Sequence, residues 1–305
     1  MEQKLNFFTE VRNNKIKSIV LMIFFVVLIG LLGFVFGVLF GDFVTVTILT
    51  VFFAIIYTLI MYVQGSSVVL ALSGAREVTK KEFPYYYNTV EGLSIAAGIP
   101  MPKIYVIEDT ALNAFATGRD PQHAAVCATS GLLAKMNRQE LEGVLAHEMS
   151  HVLNYDIRMM MLAAVLVGIV TLLSDFLLRV FLFGGLRSGN NKRENGNQLT
   201  IIFIIVGLLL AILAPIIAQL IKLAISRKRE FAADASGARL TRYPEGLASA
   251  LEKIKNDPDP LVDHANKATA HLFISTPFRK TSGWLTGLFS THPPIEERIR
   301  RLRAM

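Results

Sequence analysis

Four apolar runs, at 19–40, 43–63, 159–183 and 199–221, are each long enough to cross a bilayer as a helix, which takes about 20 residues. No other feature restricts the fold so strongly. In hydrocarbon the backbone must satisfy its own hydrogen bonds, so such runs become helices. They contain only two charged residues, Asp175 and Arg179. These lie four apart on one helical face and can neutralise each other as a structural pair. The chain is 18% charged and 52% hydrophobic overall. Outside the four runs the charged share rises to about a quarter, as in a soluble domain. The sequence therefore divides into a membrane part and a globular part.

The first run is longer than the apolar stretch of a signal peptide, and no small-residue cleavage site follows it, so it reads as a retained anchor. Lys4, Arg12, Lys15 and Lys17 precede it, which predicts a cytoplasmic N-terminus. Gly41–Asp42 is then a short outer turn. Arg76, Lys80 and Lys81 follow the second run on the inner side. The loop 184–198 carries Arg187, Lys192 and Arg193 against one acid, Glu194, which opposes a position outside. Lys222, Arg227, Lys228 and Arg229 favour a spanning hairpin. A hairpin shielded within the protein is the alternative. The expected organisation is an anchor at 1–64, a cytoplasmic domain in two parts at 65–158 and 222–305, and a transmembrane hairpin at 159–221 between them.

The net charge of +7 belongs to these basic flanks rather than to a nucleic-acid partner. The single cysteine, Cys127, excludes an intramolecular disulfide and a cysteine-rich zinc site. Pro215 and Gln219 are the only hints of the polar, broken helices that a transporter would need.

In the globular part, 65–98 reads as helical with an interruption at Pro84. Lys103–Glu108, Ala111–Thr117 and Ala124–Ala128 read as strands of a small sheet, the last two joined by the turn-rich stretch Gly118–Pro121. Asn137 followed by Glu140 has the spacing of a capping box and starts a helix. That helix contains His147-Glu148-Met149-Ser150-His151, an H-E-x-x-H motif. Histidines at i and i+4 share one face, so both rings can reach one metal ion. Neutral imidazole suits Zn²⁺. Glu148, beside the first histidine, is the natural general base for a metal-activated water and the later proton donor to a leaving amine.

A catalytic zinc site needs a third protein ligand. His123, His264, His271, His292 and Glu230 are candidates. Glu230 is favoured, because it lies nine residues after the fourth run as His151 lies eight before the third. Both would then sit roughly 12–14 Å from the hydrocarbon edge if helical. Asp234 is one turn from Glu230 and can orient a metal-bound histidine through its other ring nitrogen.

Taken in order, Asn113-Ala114-Phe115-Ala116-Thr117-Gly118, the His147–His151 motif, Arg229-Glu230-Phe231-Ala232-Ala233-Asp234 and Thr291-His292-Pro293-Pro294 with Glu297-Arg298 resemble the motifs of the HtpX-type membrane zinc metallopeptidases. These are relatives of the CAAX prenyl endopeptidases. The resemblance covers nearly the whole chain. It implies an α-helical membrane protein with four transmembrane helices and a mainly α (α+β), gluzincin-like zinc peptidase domain. It implies one Zn²⁺ per chain, held by His147, His151 and Glu230, with Glu148 as the catalytic acid and base. The setting implied is a prokaryotic cytoplasmic (inner) membrane with the site facing the cytoplasm. The implied partners are the lipid bilayer and damaged, misfolded or unfolded polypeptides, under stress and quality control, and no nucleic acid. Asn113, Ala114, Phe115 and Ala116 resemble the edge strand along which substrate backbone would lie, as strand addition to a free sheet edge allows. His292 and Arg298 are candidates for stabilising the tetrahedral intermediate. The competing reading is a zinc-binding membrane scaffold without peptidase activity. It gives no reason for a carboxylate at Glu148.

Overall fold

A computed structural model gives the fold over residues 7–184, 227–257, 272–274 and 293–305. The fourth apolar run, most of the loop before it, and His264, His271 and His292 lie outside the described residues.

Helix α1 (Phe7–Phe40) extends well ahead of the first apolar run. Gly41, with φ of 81°, makes the turn that the short outer loop requires. The Asp42 side chain then accepts from the Thr45 N–H and caps α2 (Phe43–Leu72). The two helices pack closely through small residues, as membrane helices do. A Cβ on Gly33 would lie 2.6 Å from the Thr50 side chain, and one on Gly37 would lie 2.6 Å from the Phe43 backbone. Their outer faces leave Ile23, Leu31, Ile48 and Phe53 exposed, as a lipid-facing surface would.

Three stretches of the described residues are long and apolar enough to cross a membrane: Val11–Val38, Phe43–Leu72 and Asp156–Leu173. They are not equivalent. The third, in α6 (Asp156–Gly184), is 67% buried inside the protein, against 28% and 11% for the first two. The first half of α6 therefore packs as an internal helix against α1, α2 and the sheet. Asp175 and Arg179, farther along it, are exposed.

The globular part departs from the sequence expectation between 73 and 98. A two-residue strand, β1 (Arg76–Glu77), follows α2, and Pro84 opens a helix instead of interrupting one, so α3 is Pro84–Ala97. Proline at the first helical position forfeits no hydrogen bond, because that N–H has no partner in a helix. The expected strands become β2 (Lys103–Ile107), β3 (Ala114–Gly118) and β4 (Ala124–Thr129). The sheet order is β1-β2-β4-β3, with β2 and β4 parallel and the outer pairs antiparallel.

Every residue of β3 and β4 is buried, because both sheet faces are covered. Successive side chains point to opposite faces. Ile104, Val106, Ala114, Ala116, Val126 and Ala128 join the core on one side. Ile107, Phe115, Ala125 and Cys127 join the core formed with α1, α2 and α6. The sheet is thus a partition between two cores, one of them built with the apolar helices α1, α2 and α6.

A short helix, α4 (Ser130–Lys135), leads into α5 (Arg138–Leu153). The Asn137–Glu140 capping box is formed in both directions, at 3.0 and 2.8 Å. Helices α7 (Arg227–Thr241) and α8 (Pro244–Lys255) cover α5, and α9 (Ile295–Arg303) packs on both. Glycines permit the approach. A Cβ on Gly143 would lie 2.5 Å from the Leu247 N, and one on Gly237 would lie 3.0 Å from the His147 N.

Candidate metal centre

Helix α5 puts His147 and His151 one turn apart, with their Nε2 atoms 3.2 Å from each other. Helix α7 crosses at this level and delivers Glu230. Its Oε2 is 3.7 Å from His147 Nε2, and its Oε1 is 3.5 Å from His151 Nε2. One donor atom from each of the three residues falls within 4.8 Å of the others, and all three residues are buried.

Behind each histidine stands a buried carboxylate. Asp234 Oδ1 is 2.9 Å from His147 Nδ1. Asp156 Oδ2 is 3.1 Å from His151 Nδ1. A carboxylate accepts only, so each ring donates from Nδ1 and leaves Nε2 as the atom turned inward toward a metal. The two Nε2 atoms and the Glu230 carboxylate then face one another at under 4 Å, close enough for one cation to bind all three. The nitrogen and oxygen donor set fits Zn²⁺.

The carboxylates are held in turn. Arg298 donates from Nε and Nη2 to Asp234 at 2.9 and 2.7 Å, and from Nη1 to the Ile274 carbonyl at 3.3 Å. Asp156 Oδ1 accepts from Asn14 Nδ2 at 2.7 Å and lies 3.3 Å from Arg229 Nε. Burial alone would lower the His151 pKa; the hydrogen bond to Asp156 and the charges of Glu230, Asp156 and Glu148 outweigh it and raise it to about 9. Burial opposes ionisation of Asp234, but Arg298 and His147 hold it well below the usual carboxylate range. Glu148 moves the other way. Burial, with Glu230 adding to it, raises its pKa against the pull of His147, His151 and Arg298.

Arg298 is thus engaged mainly with Asp234, while its Nη1 also lies 3.9 Å from Glu230 Oε2. His123 is not one of the clustered residues and sits in a 3₁₀ turn with its Nδ1 2.6 Å from Asp120. The proposed substrate strand is β3, the outer strand of the sheet, preceded by Asn113. The Thr129 N–H donates to the Asn113 carbonyl. By the alternation of an antiparallel ladder, Phe115 and Thr117 then face β4, while Ala114 and Ala116 turn their backbone groups outward. On that outer edge the Ala114 carbonyl accepts from the Ile274 N–H at 2.9 Å. Phe273 stacks edge-on against Phe115 with ring centroids 5.1 Å apart. The outward groups of Ala116 come next along the edge.

Asp156 and Asn14 were not singled out by sequence reasoning. Asp156 had a signal, as an acid at the head of an apolar run five residues after His151. Asn14 had none, since it sits in a polar N-terminal stretch more than 100 residues away in sequence.

A buried His-His-Glu cluster on two crossing helices, with a glutamate beside the first histidine, defines a metal-dependent peptidase class. Residues 80–305 match peptidase family M48. The chain is 53% identical to a protease HtpX homolog of Dictyoglomus thermophilum over 87% of its own length and 83% of that protein's. It is 45% identical to a protease HtpX homolog of Streptococcus pneumoniae, over 98% of this chain and 99% of the other. A crystal structure of S. mikatae Ste24p aligns with 21% identity and a TM-score of 0.48, over 86% of this chain and 58% of that chain. The chain thus spans little more than half of that structure. The chain belongs to peptidase family M48. With its apolar helices it is a bacterial membrane metalloprotease of the HtpX type.

Proposed function

We propose that the protein is a zinc-dependent endopeptidase, with one zinc ion per chain, that cuts cytoplasmic segments of damaged or misfolded membrane proteins. His147, His151 and Glu230 hold the ion. The observation that carries this reading is the convergence of two Nε2 atoms and the Glu230 carboxylate, with a carboxylate fixing each ring from behind. A zinc ion there supplies a Lewis acid that polarises the scissile carbonyl and acidifies a water.

The remaining work falls to the chain. Glu148 takes the proton of the attacking water and passes it to the departing amine; its raised pKa suits a group that must both accept and release a proton. Asp234 and Asp156 keep the two rings in register. Substrate backbone adds to the outer edge of β3 from Ala116 onward, with main-chain bonds giving affinity without strong sequence choice. His292 remains the candidate for the intermediate's charge. The basic flanks support a site on the cytoplasmic side of a multi-pass protein in the bacterial inner membrane. The gluzincin-like organisation in two parts, 65–158 and 222–305, around a hairpin at 159–221 belongs to the same reading.

The test is detergent-purified protein, wild type beside Glu148→Gln, assayed for bound zinc and for cleavage of casein. The expected result is zinc in both and cleavage only by the wild type. Zinc in both with equal cleavage would remove Glu148 from the mechanism. A wild type that binds no supplied zinc would remove the site.

A further inference from the structure

We infer that the first membrane helix is a working part of the metal site: Asn14 of α1 is a positioning residue that holds Asp156, and through it His151. The inference rests on the reading of His151 as a metal ligand.

The junction between α5 and α6 carries the argument. Helix α5 ends at Leu153 and α6 begins at Asp156, so only Asn154 and Tyr155 turn the chain. Tyr155 has φ of 61°, a left-handed conformation that a bulky residue rarely adopts and that persists only when its surroundings enforce it. This turn aims the Asp156 carboxylate back at the His151 ring, 3.1 Å away. If the turn relaxes, His151 loses its orienting acceptor.

Helix α1 supplies the restraint. Asn14 Nδ2 donates to Asp156 Oδ1 at 2.7 Å and to the Asn154 carbonyl at 3.0 Å. One amide thus bridges both ends of the turn. Lys15 places its Nζ 4.3 Å from the centre of the Tyr155 ring, and Arg158 lies 5.2 Å from it on the other helix. Asn14 is fully buried, and its Oδ1 has no hydrogen-bond partner. An unsatisfied buried acceptor is unfavourable. A leucine would pack there without that cost, so the amide is better accounted for by what its N–H groups hold than by helix stability. Arg229, next to Glu230 on α7, reaches the same Asp156 oxygen at 3.3 Å. Asp156 therefore joins α1, α5, α6 and α7 at one carboxylate.

The experiment measures zinc affinity of the full chain in detergent by competition with a zinc-binding dye. Asn14→Leu and the milder Asn14→Ser are compared with wild type and with Asn13→Leu, a neighbour on the same helix. Both Asn14 variants should bind zinc about 10-fold or more weakly, the usual effect of losing an orienting partner. Asn13→Leu should match the wild type. The same changes are then made in an Asp156→Asn background. Since Asn14 acts through Asp156, Asn14→Leu should there change affinity less than about twofold, a non-additivity that a general loss of stability would not give. Wild-type affinity in both Asn14 variants overturns the inference, and so does an equal loss in both backgrounds. Failure of the metal-centre reading is seen separately, as a wild type that binds no zinc.

Discussion

Asp234 and Asp156 stand behind His147 and His151 in the same way, yet what holds each of them differs. Asp234 is gripped by two donors of Arg298, from α9 at the C-terminal end of the chain. Asp156 is held by Asn14 from the first membrane helix and by Arg229 from α7. One flank of the site is an ion pair made within the globular part. The other is a joint between the membrane part and the globular part. Two chemically similar histidines thus depend on elements from opposite ends of the sequence. Helix α1 therefore meets the cluster through one carboxylate, Asp156.

The largest effect should come from breaking the ionic flank. Arg298→Met leaves the Asp234 charge buried without its main partner, which costs about 3–5 kcal/mol. Urea unfolding of the detergent-solubilised protein should shift accordingly, and an unchanged transition would mean that Asp234 is held by other groups. Next come the carboxylates themselves. Asp234→Asn and Asp156→Asn should each weaken zinc binding by about 10–100-fold. Limited proteolysis should separate them, because only Asp156→Asn releases α1 and exposes its N-terminal turns to cleavage. Equal digestion patterns would argue against the coupling of anchor and site.

A smaller effect is expected where α7 approaches the α5 backbone at His147. Gly237→Ala adds a Cβ 3.0 Å from the His147 N and 3.2 Å from the Ala146 carbonyl carbon. Alanine gains about 1 kcal/mol of helix propensity over glycine. Because the opposing atoms are backbone of a buried helix, overpacking of about 1–3 kcal/mol should prevail, with weaker zinc binding by titration. The smallest effect belongs to the exposed end of α9. Arg303→Ala removes ion pairs to Glu245 and Glu252, and zinc affinity by the same titration should not change. A loss there would show that α9 transmits strain to Arg298.

Much of the site could be read along the chain because its signals are local. His147 and His151 are one turn apart, Glu148 lies between them, and Asn137–Glu140 marks the helix that carries them. Glu230 and Asp234 were reachable by a depth argument across the membrane runs together with helical spacing. The short strand at Arg76–Glu77 was not legible, because two exposed residues carry no alternation and pair only once β2 is beside them. Pro84 is ambiguous for a related reason: proline interrupts or starts a helix depending on what precedes it, and here β1 precedes it. The full burial of β3 and β4 was hidden too, since their small residues show no polar face and the cover on each side comes from distant segments.

Local signals along the chain set three of the apolar helices, the helix that presents two imidazoles on one face, and where that helix begins. These follow from hydrophobic length, the 3.6-residue period and a capping pair, all of which act within a few turns of chain. Packing alone makes the first half of α6 internal, brings Arg298 to Asp234, and lets Asn14 reach Asp156 across more than 100 residues. Such contacts have no local period. A buried amide or guanidinium finds its partner only after helices have packed, when the groups left without water must satisfy one another.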